Sequence, residues 1–298
     1  MTPFFLDKFL EFLRIEKRYS EHTSLAYAFD LRQFIDFLDL KCEKDFTEIN
    51  SFSIRSWVVD LLEKDYSKKT VNRKLSTLRS FLKWLKKEGV ISNNTALIVR
   101  GPKTEKRIPV FARVSDLSQN KINDFCDKEF KGLQENLIIE ILYQTGVRLS
   151  ELVNLKVCDI SHDRIKVIGK RNKERVIPIS INLYSLIEEF RKEKELVKLK
   201  IESNYLFTLK NGNKIYSKFV YRIINSYLGR VTDLDKCSPH VLRHTFATHM
   251  LNNGAGLEVI KDILGHSSLA ATQIYTHSSF TGIQNIYSQA HPRGYKKK

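Results

Sequence analysis

Residues 238–277 read SPHVLRHTFATHMLNNGAGLEVIKDILGHSSLAATQIYTH, and the punctuation of this stretch decides how the second half of the chain folds. Ser238-Pro239 is a helix start with the preferred residues in the preferred order, an N-cap followed by proline at the first helical position. His240 and Arg243 then fall in or near the first turn, three residues apart and on one face. Unpaired backbone amides and the positive end of the helix dipole gather there, which favours a phosphate. Leu264-Gly265-His266-Ser267 reads as a helix end followed at once by a new N-cap, presenting His266 at the junction. Tyr275 lies about two turns into the helix that Ser267 would start.

A further arginine, Arg148, stands upstream in TGVRLSEL. Two arginines, two histidines and one tyrosine suit a particular chemistry. Guanidinium forks grip phosphate, imidazoles move protons, and a phenol can attack phosphorus. Neither an ATP-binding loop nor a carboxylate cluster for magnesium accompanies them. The expectation is metal-free phosphoryl transfer on a nucleic-acid backbone through a covalent tyrosine, with no cofactor. Taken alone, Tyr275 reads equally well as a core or surface aromatic. Tyr143, Tyr184, Tyr205, Tyr216, Tyr221, Tyr227 and Tyr287 compete by composition, but none sits in a comparable constellation. Lys170 lies in a polar turn, IGKRNKERVIP, which it shares with Arg171, Lys173 and Arg175; composition does not choose among them.

The 298 residues are 42% apolar, enough to fill real cores, and carry a net charge of +16. A surplus of that size favours a polyanionic partner, nucleic acid first, over a merely soluble basic protein. Cys42, Cys126, Cys158 and Cys237 lie far apart, which argues against a zinc ribbon or disulfide framework and fits a reducing cytoplasm. The N-terminus carries Asp7, Lys8, Glu11 and Arg14 among its apolar residues, so it reads as an amphipathic helix and not a signal peptide. Nowhere do about 18 apolar residues run together, so no membrane span is expected.

Residues 1–100 read as helices only. Phe4, Phe5, Phe9, Phe12 and Leu13 recur at helical spacing, and Ser20 caps a second helix predicted to turn Leu25, Phe29, Phe34 and Phe37 inward. A third helix covers Ile54 to Glu63, and Ser67 caps a fourth that runs to Lys87 and ends at Gly89. That fourth helix holds eight Lys or Arg residues between 68 and 87 and no acid. Val71, Leu75, Leu78, Leu82 and Leu85 form its apolar stripe. Lys68, Lys69, Asn72, Arg73, Arg79, Lys83 and Lys86 are its expected DNA contacts, set against the alternative of a solvated basic face.

Arg100 to Pro109 reads as an extended linker, dividing a helical domain (1–100) from a second domain (110–298) across a 101–109 connection. Up to residue 107 the chain has 21 basic and 15 acidic residues, and beyond it 29 and 19, so both parts are basic and both suit one polyanion, as two jaws of a clamp would. In the second part, helices are expected near Ser115–Cys126, Leu133–Gln144, Leu183–Lys200 and Lys218–Leu228. A strand pair, Ile165–Ile168 and Arg175–Ile179, flanks the polar turn.

TGVRLSEL, GKRNKERVIP, HVLRHTFATHML and LGHSSLAATQIYTH resemble, in order, the signature boxes of the tyrosine site-specific recombinases, the λ-integrase family, and most closely its bacterial Xer branch. RYSEHTSLAYAFDLRQFIDFL and NRKLSTLRSFLKWL resemble that branch's core-binding domain. The resemblance implies a mainly α fold: a helical, SAM-like core-binding domain plus an α+β catalytic domain with a small antiparallel sheet. It implies Tyr275 as nucleophile forming a 3′-phosphotyrosyl bond, Arg148 and Arg243 holding the non-bridging oxygens, and Lys170 protonating the departing 5′-oxygen. His240 would assist proton transfer from the tyrosine, His266 would hydrogen-bond the phosphate, and Glu151 would orient the site. Arg171, Lys173 and Arg175 would add DNA contacts.

The resemblance further implies a double-stranded recombination site as partner and strand exchange through a Holliday junction. The assembly would be a homo- or hetero-tetramer with a related recombinase, with room for a DNA translocase as activator. The last helix, about Phe280 to Ala290, would present Ile283, Ile286 and Tyr287 to a neighbouring subunit or pack them within its own chain. Chromosome-dimer resolution in the cytoplasm at cell division is the implied role, and the integrase of a mobile element is the alternative. A type IB topoisomerase would share the constellation but relax supercoils without exchanging partners, and a basic regulator would bind without covalent attachment. His240, His244 and His249 recur at helical intervals, yet without an H-E-x-x-H pattern and with only Cys237 nearby they make a poor zinc set.

Overall fold

The computed structural model describes residues 4–104, 110–127, 129–169, 173–197, 203–265 and 277–294. The chain divides into two compact units, Met1–Arg107 and Ile108–Lys298.

The first unit is helical: α1 (Phe4–Ile15), α2 (Glu21–Leu38), α3 (Ser51–Glu63) and α4 (Lys68–Lys87). Ser20 and Ser67 cap α2 and α4 as expected, each hydroxyl accepting the backbone N–H three residues on at 3.3 Å. Gly89, at φ 75°, sits just past the end of α4, where the left-handed conformation favours glycine. Phe9, Phe34, Trp57, Phe81 and Leu85 are buried in a core of interleaved aromatic rings.

The inward face of α2 differs from the predicted one. Leu25 is 61% exposed and Phe29 63%, while Ser24, Ala28, Asp30, Leu31, Phe34 and Ile35 are buried. The cause is an ion pair that hydrophobic periodicity does not register. Asp30 accepts from the buried Lys74 ammonium at 2.9 Å, from the Thr77 hydroxyl at 3.1 Å and from Arg73. Lys74 also donates to Gln33 at 2.6 Å and lies 5.1 Å from the Phe29 ring. A buried charge is tolerable only when paired and hydrogen-bonded, so α2 turns to bring Asp30 to α4 and gives up the burial of Phe29.

The second unit is built around α6 (Phe130–Thr145), in which Leu137, Ile138, Ile139, Ile141, Leu142 and Tyr143 are all buried. The helix is buried on nearly every side, its polar Gln134, Glu140 and Gln144 held by hydrogen bonds, and it packs against α8 (Ile181–Leu196) and α10 (Pro239–Asn252). Around it lie α5 (Gln119–Phe125), α7 (Leu149–Val153), α9 (Ser217–Val231), α11 (Leu257–Leu264) and α12 (His277–Ala290). The strands β1 (Ile160–Ser161), β2 (Arg164–Ile168) and β3 (Glu174–Pro178) form an antiparallel sheet in chain order. The β2–β3 hairpin is the predicted one; β1 adds a short edge. Its register pairs Ile165 with Ile177 and Val167 with Arg175.

The last helix packs on its own chain. Phe280, Ile283, Tyr287 and Ala290 are buried and Ile286 is half-buried. His291, 2% exposed, follows it into a polar nest. Its Nδ1 accepts the Arg293 backbone N–H at 3.0 Å, which leaves Nε2 to donate to the Tyr143 carbonyl at 3.3 Å. The Tyr287 ring stacks on it, Phe246 and Tyr143 flank it, and His249 bonds the Tyr143 hydroxyl from α10. Arg293 then closes the nest on Glu140 at 2.8 Å and on the Leu117 carbonyl at 2.8 Å.

Burial holds the His291 imidazole neutral, its pKa pushed down to about 3, with nearby His249 and Arg293 acting in the same direction. The unfolded chain therefore binds the proton first, so this contribution is complete above about pH 6.5 and is lost as pH falls toward 3. Each pH unit below 6.5 costs about 1.4 kcal/mol of anchoring. Amides 280–290 are expected to exchange with solvent about tenfold faster at pH 5.5 than at pH 7.5 after correction for intrinsic rates. His291→Gln, which keeps one donor and one acceptor but cannot titrate, is expected to remove most of that difference.

Candidate active site

Two segments of the second unit, the start of α7 and β3, converge on one carboxylate, that of Glu151. Arg148 stands at the N-cap position of α7, and its backbone N–H donates to Glu151 Oε2 at 2.7 Å while Nη1 donates to Oε1 at 2.8 Å. From β3, Arg175 donates Nη1 to Oε1 at 2.7 Å and Nη2 to Oε2 at 2.8 Å, a bidentate fork. Burial by itself would raise the Glu151 carboxyl. The Arg175 fork and charge, with the Arg148 amide and guanidinium, overcome it and hold the group down at about 2.

The three guanidiniums also terminate a helix. The last carbonyls of an α-helix have no partner within it. At the end of α11, Arg175 Nε donates to Ile263 O at 2.7 Å, Arg243 Nη2 to Leu264 O at 2.6 Å, and Arg148 Nη2 to Gly265 O at 2.9 Å. Arg243 Nη1 reaches on to Gly146 O at 2.5 Å, which ties α10 to the end of α6. Two glycines make this approach possible. Gly146 (φ 60°) and Gly265 (φ 64°) are left-handed, and a Cβ would lie 2.7 Å from the Phe246 ring at the first and 3.0 Å from Arg175 at the second.

Three cations face one anion here, so the cluster keeps a surplus of positive charge. The surplus is felt: burial, then Arg148 and Arg175, push Arg243 down to about 10, which still leaves it charged at neutral pH. The arrangement is chemically suited to receive a phosphate.

His240 lies in the first turn of α10 and is exposed, one turn from the buried Arg243. Pro239 occupies the predicted first position, although the Ser238 hydroxyl makes no cap hydrogen bond. His244 is lowered by burial and then by His240. Lys170, Arg171, His266 and Tyr275 lie outside the described residues. For Lys170, Arg171 and His266 the described flanks lie beside the cluster: Gly169 N–H donates to Lys173 O at 2.8 Å across the turn, and Gly265, whose carbonyl accepts from Arg148, precedes His266 directly.

The expected DNA contacts are distributed unevenly. Lys68, Lys69, Lys83 and Lys86 on α4 and Lys173 in the hairpin are exposed. Arg73 is half-exposed and paired with Asp30. Asn72 and Arg79 are turned onto their own chain: Asn72 donates to Pro102 O at 2.8 Å, and Arg79 to Ala96 O at 3.1 Å and Val99 O at 2.6 Å. Arg175 departs furthest from the expectation. At 5% exposure it lies inside the domain on Glu151, because strand alternation places it on the face of Ile177. That period of two was legible in ERVIP; the charge of the turn masked it. Gly146 and the carbonyls of α11 were missed because a main-chain acceptor leaves no mark in a sequence.

Among the described residues, no group of three or more His, Cys, Asp or Glu side chains could hold a metal ion. Nor is any described helix long and apolar enough to cross a membrane.

Residues 114–281 match the Phage integrase family, and residues 6–89 match the phage integrase N-terminal SAM-like domain. A relative from Thermodesulfovibrio yellowstonii, tyrosine recombinase XerC, is 35% identical over 297 residues, 98% of this chain and 97% of that protein. The chain belongs to the tyrosine recombinases of the phage integrase family, in their Xer branch. A second relative, tyrosine recombinase XerC of Bacillus subtilis, is 34% identical over 299 residues and covers 98% of each chain. The post-cleavage crystal structure of the XerH site-specific recombinase bound to palindromic difH substrate superposes at a TM-score of 0.71 and 22% identity, covering 95% of this chain and 83% of that one. That likeness establishes the fold: a helical SAM-like domain and a catalytic domain with a small antiparallel sheet. As a tyrosine recombinase, the chain is a site-specific enzyme that cleaves and rejoins DNA.

Proposed function

We propose that this recombinase resolves chromosome dimers at cell division, acting on a double-stranded chromosomal site as a tetramer with itself or with a related recombinase. Its relatives carry the name XerC over nearly their full length, and a λ integrase, one of the solved structures of similar fold, is a tetramer bound to a Holliday junction. The observation that carries the chemistry is the cluster of Arg148, Arg175 and Arg243 at the point where the chain runs on to His266 and Tyr275.

In the proposed reaction, the Tyr275 hydroxyl oxygen attacks the scissile phosphorus while His240 accepts its proton. Arg148 and Arg243 hold the non-bridging oxygens as charge builds. His266 hydrogen-bonds the same phosphate. The phosphorus–5′-oxygen bond breaks, and Lys170 supplies the proton that makes the 5′-hydroxyl. Attack by a 5′-hydroxyl of the partner strand reverses each transfer and releases the tyrosine. One phosphoester is exchanged for another, so ligation needs no nucleotide. A free phenol, with a pKa near 10, is a weak nucleophile at neutral pH, and the surrounding cations favour its phenolate. The exposed lysines of α4 and Lys173 are proposed contacts to the DNA backbone. The two compact units are proposed as core-binding and catalytic domains joined by the 101–109 segment.

The test uses a duplex bearing the host's candidate chromosomal recombination site, nicked so that the fragment with the new 5′-hydroxyl is lost. Wild-type protein is expected to give a covalent protein–DNA band on a denaturing gel, with a related host recombinase supplied where one exists. Tyr275→Phe is expected to give none while binding the duplex with unchanged affinity. Tight binding without a covalent band from wild type would sink the proposal in favour of a DNA-binding regulator.

A further inference from the structure

The catalytic assignment proposed above leaves one arginine of the cluster unused. Arg175 is 5% exposed, and its Nε, Nη1 and Nη2 each donate within the domain, so it is not presented to a DNA phosphate. Its position has a different consequence. Glu151 lies against Arg148, and an unshared carboxylate there would cancel the charge that Arg148 is to offer a phosphate. It would also draw the guanidinium into a two-pronged pair of its own. Arg175 occupies both carboxylate oxygens first, and at each it shares the oxygen with a donor of Arg148: the side chain at Oε1 and the backbone amide at Oε2.

We infer that Arg175 is a positioning residue for DNA cleavage: it neutralises Glu151, so that Arg148 presents its full charge and a free edge to the scissile phosphate. The inference rests on the proposed role of Arg148. Two features show that the contact is built in. Gly265 leaves the space that Arg175 fills, since a Cβ there would meet its Cδ at 3.0 Å and its Nε at 3.2 Å. Val167, the hydrogen-bonded neighbour of Arg175 on β2, is buried, so the strand pair holds the arginine from behind.

Charge and architecture can be separated by changing the substrate. A methylphosphonate at the scissile position removes one non-bridging charge and relaxes the need for a cation there. The probes are the nicked duplex with an ordinary phosphodiester and the same duplex with a methylphosphonate, followed in single turnovers at saturating protein. Arg175→Met is expected to bind the duplex within about threefold of wild type but to cleave the phosphodiester about a hundredfold more slowly, the scale of a misplaced catalytic group. On the methylphosphonate its deficit is expected to shrink to less than about tenfold, in step with that of Arg148→Ala. Arg175→Lys keeps the charge without the fork; it should fall between wild type and Arg175→Met, and it carries the same two-substrate comparison if the methionine variant does not fold.

An Arg175 deficit equal on both substrates would overturn the inference and leave a purely structural arginine. Impairment of Arg148→Ala with no impairment of the Arg175 variants would overturn it as well. If Arg148→Ala itself cleaves the phosphodiester normally, the proposed role of Arg148 fails, and the inference built on it fails too.

Discussion

Arg243→Ala is expected to slow cleavage of the scissile phosphodiester about a thousandfold, the upper range for removing one preorganised donor from a developing oxyanion. The size follows from its placement. Arg243 is 6% exposed, so its charge is poorly screened, and it is anchored at 2.5 Å on Gly146 O and 2.6 Å on Leu264 O. An anchored fork needs no reorganisation when the phosphate arrives. Single-turnover rates at saturating protein, with DNA affinity measured separately, check the prediction. Arg243→Lys is expected to recover little, because a single ammonium cannot bridge two carbonyls and still face a phosphate in the plane that a guanidinium offers. A loss of less than about tenfold for Arg243→Ala would remove Arg243 from the phosphate.

The second large effect is on stability. Glu151→Ala leaves three guanidiniums without their anion, and breaking a buried ion pair from one side costs about 3–5 kcal/mol. The pH dependence isolates the carboxylate. In the folded chain Glu151 titrates near 2, against an ordinary 4.5, so below 4.5 the unfolded state takes up the proton first. The stabilisation is therefore full above pH 4.5, where it is about 3 kcal/mol, and it disappears as pH falls through 2. The stability gap between wild type and Glu151→Gln should accordingly be wide at pH 6 and narrow steadily from pH 4.5 downward. Both tryptophans, Trp57 and Trp84, belong to the first unit, so selectively excited tryptophan fluorescence reports on that unit alone. Hydrogen exchange of the buried α6 amides follows the second. A gap that stays constant with pH would mean that the carboxylate's charge is not what stabilises the cluster.

What the sequence made legible has a common physical basis. Caps are local: Ser20, Ser67, Pro239 and Gly265 announce helix ends because the backbone near them leaves little choice. Hairpins are nearly as local, and β2 and β3 fall within a residue of their predicted bounds. Long-range charge pairing left no such trace. Asp30 and Lys74 are 44 residues apart, and their pairing rotates α2 so that Phe29 and Leu25 face outward. Arg175 looked like one more cation of a DNA-facing turn, yet its carboxylate partner lies 24 residues upstream. At the candidate site, resemblance to the recombinases supplied Glu151 and singled out Lys170, whereas Arg148 belonged to the set that residue chemistry already picked out, and His240 and Arg243 were also marked by their helix start. The main-chain acceptors that hold the arginines had no signature at all.

Those acceptors carry a consequence for how the chain tolerates change. Carbonyl oxygens of Gly146, Ile263, Leu264 and Gly265 are offered by the backbone whatever side chain each residue bears. The grip on the arginines is therefore indifferent to residue identity and demanding only of shape. Ile263 and Leu264 can drift among apolar residues that still fill the core, and the cations will find the same oxygens. Gly146 and Gly265 have no such latitude, since their conformation and the space above them exclude a side chain. Constraint is thus concentrated at two residues with no chemistry of their own, while their chemically richer neighbours are left free to diverge.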